Sequence, residues 1–165
     1  MSQPQSRLAA LLFQHDLKVV FAESCTAGLA SATLAAEAGI SSRHCGGMIV
    51  YRNETKQQYL GISAALLEEF DAVSERIARE MAERVLERTP EADFAASVTG
   101  HLGPNAPEGK DGLVFIGIAR RGDSAGAIAA AFHCSPDENR VARQKSVAAE
   151  VLKRLADEIE RIVGR

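Results

Sequence analysis

Three short runs of the sequence gather the side chains that could attack or polarise a bond. In Ala22-Glu-Ser-Cys-Thr-Ala-Gly28 the hydroxyls of Ser24 and Thr26 follow an apolar run and precede a stretch of small residues. A strand that ends here and opens a helix sets hydroxyls beside free backbone N–H groups, at the helix end that favours negative charge. That suits an oxyanion hole or an anion site; a plain helix cap is the alternative. In Gly46-Gly-Met-Ile-Val-Tyr-Arg-Asn-Glu-Thr-Lys56 a strand ends in Tyr51, and a polar turn leads to Lys56 at a helix start. Cations prefer the other helix end, so a lysine there is mildly unfavourable and suggests a role. A lysine of lowered pKa can act as the base for a serine nucleophile, and a tyrosine hydroxyl can relay or stabilise. A solvated surface lysine is the alternative. In Val98-Thr-Gly-His-Leu-Gly-Pro104, Thr99 ends a strand and the glycines let a phosphate or carboxylate approach the backbone. A simple turn would have the same composition.

The elements that must position these runs alternate along the chain. Leu8, Leu11 and Leu12 share one face of a first helix. Lys18 to Ala22 reads as a buried strand, and a small-residue helix runs from about Ala27 to Ala38. Gly46 to Tyr51 is a second strand, followed by a short helix over Glu54 to Leu60. Ser74 is an N-cap, and Ile77, Met81 and Val85 recur at helical spacing to about Arg88. Asp93 to Val98 is a third strand. Thr99 to Asp111, rich in Gly and Pro, is a loop. Gly112 to Ala119 and Gly126 to His133 are strands around a turn at Arg121 to Ser124. Ala148, Leu152, Leu155, Ile159 and Ile162 form a stripe that a last helix must bury. The order implies one α/β domain, a layered sandwich with a mixed β-sheet flanked by helices.

Composition removes several functions. The chain has 165 residues, 46% of them hydrophobic and 25% charged, with a net charge of −3. One folded domain fits, and a basic nucleic-acid-binding face does not. With no Trp and two Tyr, a stacking platform for single strands is also excluded. No apolar run has transmembrane length and no signal peptide is evident, so no membrane partner is expected. Three cysteines without a C-x-x-C point to a reducing, cytoplasmic setting. Gly103 to Lys110 only superficially resembles a P-loop: five residues separate Gly103 from Gly109, and Asp111 stands where Ser or Thr would hold magnesium. His44-Cys45 and His133-Cys134 are neighbours on strands and point to opposite faces, so neither pair chelates easily, and no metal is expected. Cys25 lies at a helix start but reads as a small buried hydrophobe.

Taken in order, these motifs resemble the C-terminal domain of the CinA family and its stand-alone nicotinamide-nucleotide amidohydrolases, over about Leu8 to Leu155. Ala22 to Gly28 is similar to the family's A-E-S-C-T-G-G, Gly39-Ile-Ser-Ser42 to its G-S-S segment, and Gly46 to Lys56 to G-G-x-x-x-Y-x-N-x-x-K. Ala72-Val-Ser74 matches A-V-S, and Val98-Thr-Gly100 matches V-T-G. The resemblance implies hydrolysis of the carboxamide of nicotinamide mononucleotide to nicotinate mononucleotide and ammonia, within the pyridine nucleotide cycle. It implies a Ser–Lys–Tyr site without cofactor or metal, in a homo-oligomer whose partner is a small pyridine nucleotide. By position, Ser24, Ser41, Tyr51 and Lys56 fall on the catalytic side. Thr26, Gly28, Asn53, Thr99, Gly100 and Arg143 fall on the substrate-binding side. Whether Ser24 or Ser41 is the nucleophile stays open.

Two departures bear on the substrate. Ala27 replaces the family's second turn glycine. Thr99-Gly-His-Leu-Gly-Pro-Asn-Ala106 replaces T-G-I-A-G-P-G-G. A binding module without turnover, or an amidase on another small amide, are the alternatives this loop permits.

Overall fold

The computed structural model describes residues 3–164. In chain order the elements are α1 (Pro4–Gln14), β1 (Val19–Glu23), α2 (Leu29–Ala35), a 3₁₀ turn (Ile40–Ser42), β2 (His44–Ile49) and α3 (Asn53–Leu60). Then follow α4 (Ala64–Phe70), α5 (Glu75–Glu87), β3 (Phe94–Gly100), β4 (Leu113–Arg120), β5 (Ile128–His133) and α6 (Arg140–Val163). The strands form one sheet in the order β2-β1-β3-β4-β5. β1 runs parallel to both β2 and β3, while β3–β4 and β4–β5 are antiparallel. The expected mixed sheet in an α/β sandwich is therefore present.

Alternation along the strands explains the layers. All five residues of β1 are buried, because helices cover both faces. Val19 and Phe21 join a core with Leu8 and Leu12 of α1, Leu34 of α2 and Leu152, Leu155 and Ile159 of α6. Val20 and Ala22 join the opposite core with Leu60 of α3, Leu67 of α4 and Ile77, Met81 and Val85 of α5. The crossover from β1 to β2 passes through α2 on the first face. The crossover from β2 to β3 passes through α3, α4 and α5 on the second. The connections thus part at the C-terminal ends of β1, β2 and β3, where an open α/β sheet leaves a crevice.

Local chemistry sets the boundaries. Ser74 Oγ accepts from Ile77 N at 3.2 Å, as expected of an N-cap. Asn139 Oδ1 caps α6 through Ala142 N at 2.9 Å. Helix α5 lies tight against β4: a Cβ on Gly117 would come within 2.4 Å of Ala78 O. Three readings need correction. Strand β2 begins and ends two residues earlier than expected, at His44 and Ile49. Helix α2 starts at Leu29, since Ala27 and Gly28 adopt left-handed backbone with φ of 52° and 95°. Ile162, placed in the buried stripe, is only partly buried at the helix end. Helix α4, capped by Ser63, was not anticipated.

Ala27 carries a left-handed φ with an exposed methyl group. Relief of that strain by glycine exceeds the added freedom of the unfolded chain. Ala27→Gly should therefore stabilise the fold by up to about 1 kcal/mol. Equilibrium urea unfolding reads this as a raised midpoint, and an unchanged or lowered midpoint contradicts it.

Candidate active site

The crevice at the switch point holds an open cleft of about 240 Å³. Ser24 leaves β1 at its floor and is 7% exposed. Its N–H donates to Val98 O of the neighbouring strand at 3.0 Å, which extends the sheet register to the serine. Its hydroxyl lies 3.4 Å from Tyr51 O, to which it can donate. The amine of Lys56 reaches the same hydroxyl: Nζ lies 3.2 Å from Ser24 Oγ and donates to Val50 O at 3.0 Å.

Lys56 reaches the floor because α3 starts where β2 has barely ended. Arg52 and Thr55 form a reciprocal cap: Arg52 N donates to Thr55 Oγ1 at 3.1 Å, and Thr55 Oγ1 donates to Arg52 O at 2.8 Å. Lys56 then lies in the first turn, 1% exposed. Burial lowers its pKa below the ordinary 10.5. The positive end of α3 also disfavours an ammonium there. The arrangement is a hydroxyl in contact with an amine biased toward its neutral, proton-accepting form.

Tyr51 contributes its carbonyl to the floor and its ring to the rim. The ring is half exposed, and its hydroxyl accepts from Arg140 Nη2 at 2.9 Å. Arg140 also donates to Gly103 O, joining the start of α6 to the loop after β3. Asn53, Thr99 and Gly100 line the cleft as expected. Thr99 acts from below, donating to Ala72 O at 2.8 Å. Gly100 is required by packing, since a Cβ there would come within 2.5 Å of Val114 Cγ2.

Other expected site residues lie elsewhere. Ser41 is exposed in the 3₁₀ turn that precedes β2. It sits at the opposite end of the parallel strands from Ser24, roughly 20 Å of strand away. Within this chain Ser24 alone of the two meets Lys56. Thr26 is buried and donates to Glu23 Oε2 at 2.6 Å. Gly28 faces a separate groove beside Ile49. The expected anion site at the start of α2 is filled by the protein itself, because Glu23 accepts from the N–H groups of Gly28, Ala30 and Ser31. Arg143 is 6% exposed and braces the loop after β3 from behind, through Asp111 at 2.9 Å and Leu102 O at 3.3 Å. Arg140, three residues earlier on the same face, is the arginine in the cleft. Arg143, to which the family resemblance points, lies about one helical turn further along α6 than the arginine that lines the cleft. His101 also lines the cleft and was not assigned.

The set-aside signals have plain structural roles. Burial pushes the Cys25 thiol up to about 12, so it is no nucleophile at neutral pH. His44 Nδ1 accepts from Gly46 N at 3.2 Å, which leaves Nε2–H to donate to Ser31 Oγ at 2.8 Å. Lys110 pairs with Asp71 at the surface, at 2.8 Å. Among the described residues, no group of three or more His, Cys, Asp or Glu side chains is placed to hold a metal ion.

Known proteins share this family pattern and fold. The family model of the CinA C-terminal domain matches residues 1–159. A CinA-like protein of Chlorobium limicola is 42% identical over 127 residues, covering 76% of this chain and 29% of that protein. A CinA-like protein of Chlorobaculum tepidum is 37% identical over 153 residues, covering 89% and 36%. The chain thus spans about a third of the length of these relatives. The crystal structure of a CinA superfamily protein from Klebsiella pneumoniae superposes with a TM-score of 0.88 at 25% identity, covering 96% of both chains. A competence/damage inducible protein from Agrobacterium tumefaciens gives 0.84 at 28% identity, covering 94% of both.

The buried amine gives a prediction about stability. Lys56→Met removes the cost of burying an ammonium but leaves Val50 O unpaired, so the variant should fold within about 1 kcal/mol of wild type at neutral pH. The wild type's folded-state pKa is lowered, so its burial penalty is complete at low pH. That penalty fades as pH rises from the lowered value toward 10.5. The stability difference should therefore move in favour of wild type across that window. Denaturation curves of both proteins at several pH values check this, and a difference independent of pH contradicts it.

Proposed function

The chain belongs to the CinA C-terminal domain family, and we propose that it is a serine–lysine amidohydrolase acting on the carboxamide of nicotinamide mononucleotide. The observation that carries this reading is the 3.2 Å contact between Ser24 Oγ and the buried Lys56 Nζ. Neutral Lys56 takes the hydroxyl proton as Ser24 Oγ forms a bond to the carboxamide carbon. The tetrahedral intermediate collapses, the C–N bond breaks, and Lys56 returns the proton to the departing nitrogen as ammonia forms. A water molecule then attacks the acyl-serine. Lys56 takes its proton and passes it to Ser24, which releases the carboxylate. Backbone N–H groups beside Ser24 stabilise the oxyanion.

The choice of a nucleotide rests on charge. Lys56 and Arg140 line the cleft, and among the described residues no Asp or Glu does, in a chain of net charge −3. The starts of α3, α5 and α6 converge on it through Asn53, Val73 and Arg140, so their dipoles add positive potential. A carboxamide over Ser24 with a phosphate toward Arg140 fits this polarity. His101 and Asn105, which depart from the family loop, line the same wall and bear on which amide is accepted.

Ammonia release from nicotinamide mononucleotide by the purified protein tests the reading. Lys56→Ala should abolish turnover in a folded protein, and a variant with wild-type rate contradicts the mechanism. Saturable binding of the nucleotide without ammonia would make the domain a binding module. The rate should climb with pH as Lys56 loses its proton, with the midpoint below the ordinary lysine value of 10.5. Arg140→Ala should raise KM for the mononucleotide about tenfold or more at little cost in kcat, and leave the riboside unaffected. An equal effect on both substrates would remove Arg140 from phosphate binding.

A further inference from the structure

The chemistry above does not use Glu23, a carboxylate 2% exposed and directly before the nucleophile. Glu23 accepts from Thr26 Oγ1 at 2.6 Å, Gly28 N at 3.0 Å, Ala30 N at 3.1 Å and Ser31 N at 2.8 Å. Four donors match the acceptor capacity of an ionised carboxylate. The backbone N–H groups of the turn can be followed one by one. Ser24 donates to Val98 O, Ala27 to Ser24 O, Leu29 to Thr26 O and Ala32 to Gly28 O. Gly28, Ala30 and Ser31 donate to Glu23. Among the described residues, the N–H groups of Cys25 and Thr26 are the ones between residues 24 and 32 without a partner in the protein. Cys25 lines the cleft next to Ser24, whereas Glu23, Gly28 and Ser31 border the separate groove between α2 and β2.

We propose that Glu23 is a positioning residue: it binds the donors at the start of α2, which holds Ser24 against Lys56 and leaves the Cys25 N–H beside it for the oxyanion. The inference rests on the Ser24–Lys56 reading of the site. Without the carboxylate, an anion would be drawn to the donors of α2, on the groove side of the turn. With it, the N–H groups of the turn left on offer are those of Cys25 and Thr26, and the Cys25 one lies next to the nucleophile, as at other nucleophiles set on a strand-to-helix turn. The 2.6 Å bond from Thr26 makes that residue part of the same clamp, which is why its hydroxyl faces inward.

The test reads Ser24 directly, with a fluorophosphonate probe and mass spectrometry. Ser24 Oγ forms a bond to phosphorus, fluoride leaves, and the hydroxyl proton passes to Lys56. Glu23→Gln should slow labelling at least about tenfold and lower kcat for ammonia release in parallel, with KM within about twofold. Thr26→Val keeps the buried shape and removes one donor of the clamp. It should slow both about threefold or more, also at constant KM. Melting temperatures establish that each variant is folded, and Thr26→Val carries the test if Glu23→Gln is not. Labelling at wild-type rate in a folded variant overturns the proposal. A higher KM at unchanged kcat in Thr26→Val does so too, since Thr26 would then be touching substrate. No labelling of the wild type removes the Ser24 mechanism and this proposal together. Labelling without ammonia release leaves the proposal standing and removes only the substrate.

Discussion

Burying the amine of Lys56 is the constraint around which this molecule is arranged. An ammonium at 1% exposure is costly, and among the described residues no carboxylate lines its cleft to offset it. The protein meets the cost by making the charge dispensable. The amine has two neutral partners, Ser24 Oγ and Val50 O, and sits in the first turn of α3. Burial and the helix start favour a neutral amine over a charged one. A structural lysine would gain from a carboxylate partner; a base gains from lacking one. The reciprocal cap at Arg52 and Thr55 then has a clear purpose, since it sets the helix phase that turns Lys56 inward.

That contact requires three chain segments to meet, and the topology supplies them. Strands β1, β2 and β3 are parallel and adjacent, so their C-terminal ends lie side by side. Ser24, Tyr51 and Thr99 each lie at or just past one of those ends. The crossovers leave on opposite faces, so no helix closes the gap above the strands. The antiparallel pair β4 and β5 widens the sheet without adding to this edge. Its contribution is indirect: β4 lies so close to β3 that Gly100 admits no side chain, and Gly117 of β4 lets α5 press onto the sheet.

Much of this was legible in the residues because one strong local signal marked each element. The stripe from Ala148 to Ile159, the cap at Ser74 and the strand before Ser24 were each set by burial or a single hydrogen bond. The Ser24 and Lys56 runs were legible for a chemical reason, a hydroxyl and an amine placed where neither is needed for folding. What was not legible depended on three-dimensional phase. Arg140 and Arg143 share a helix face, and only the depth of the loop after β3 decides which one is swallowed. Ser41 belongs to a motif in sequence but to the far end of the sheet in space. Thr26 carries a hydroxyl at the right place, yet Glu23 claims it. Helix α4 is short, and its one core residue, Leu67, gives too little periodicity to mark it.

The loop from His101 to Asp111 is where the cleft wall can change while the Ser24–Lys56 contact stays fixed. The two arginines of α6 both hold it: Arg143 through Asp111 and Leu102 O, Arg140 through Gly103 O. Lys110 ties its far end to Asp71, on the segment between α4 and α5. The loop is thus anchored at several points on the scaffold, and its side chains His101 and Asn105 still face the cleft. Ser24 and Lys56, by contrast, hang from β1 and α3 and make no hydrogen bond to the loop among the described residues. Residue changes in the loop therefore alter what the cleft admits without displacing Ser24 from Lys56. The departures from the family pattern fall on this wall and at Ala27, and neither touches the Ser24–Lys56 contact, so the wall of the cleft can change without disturbing that contact.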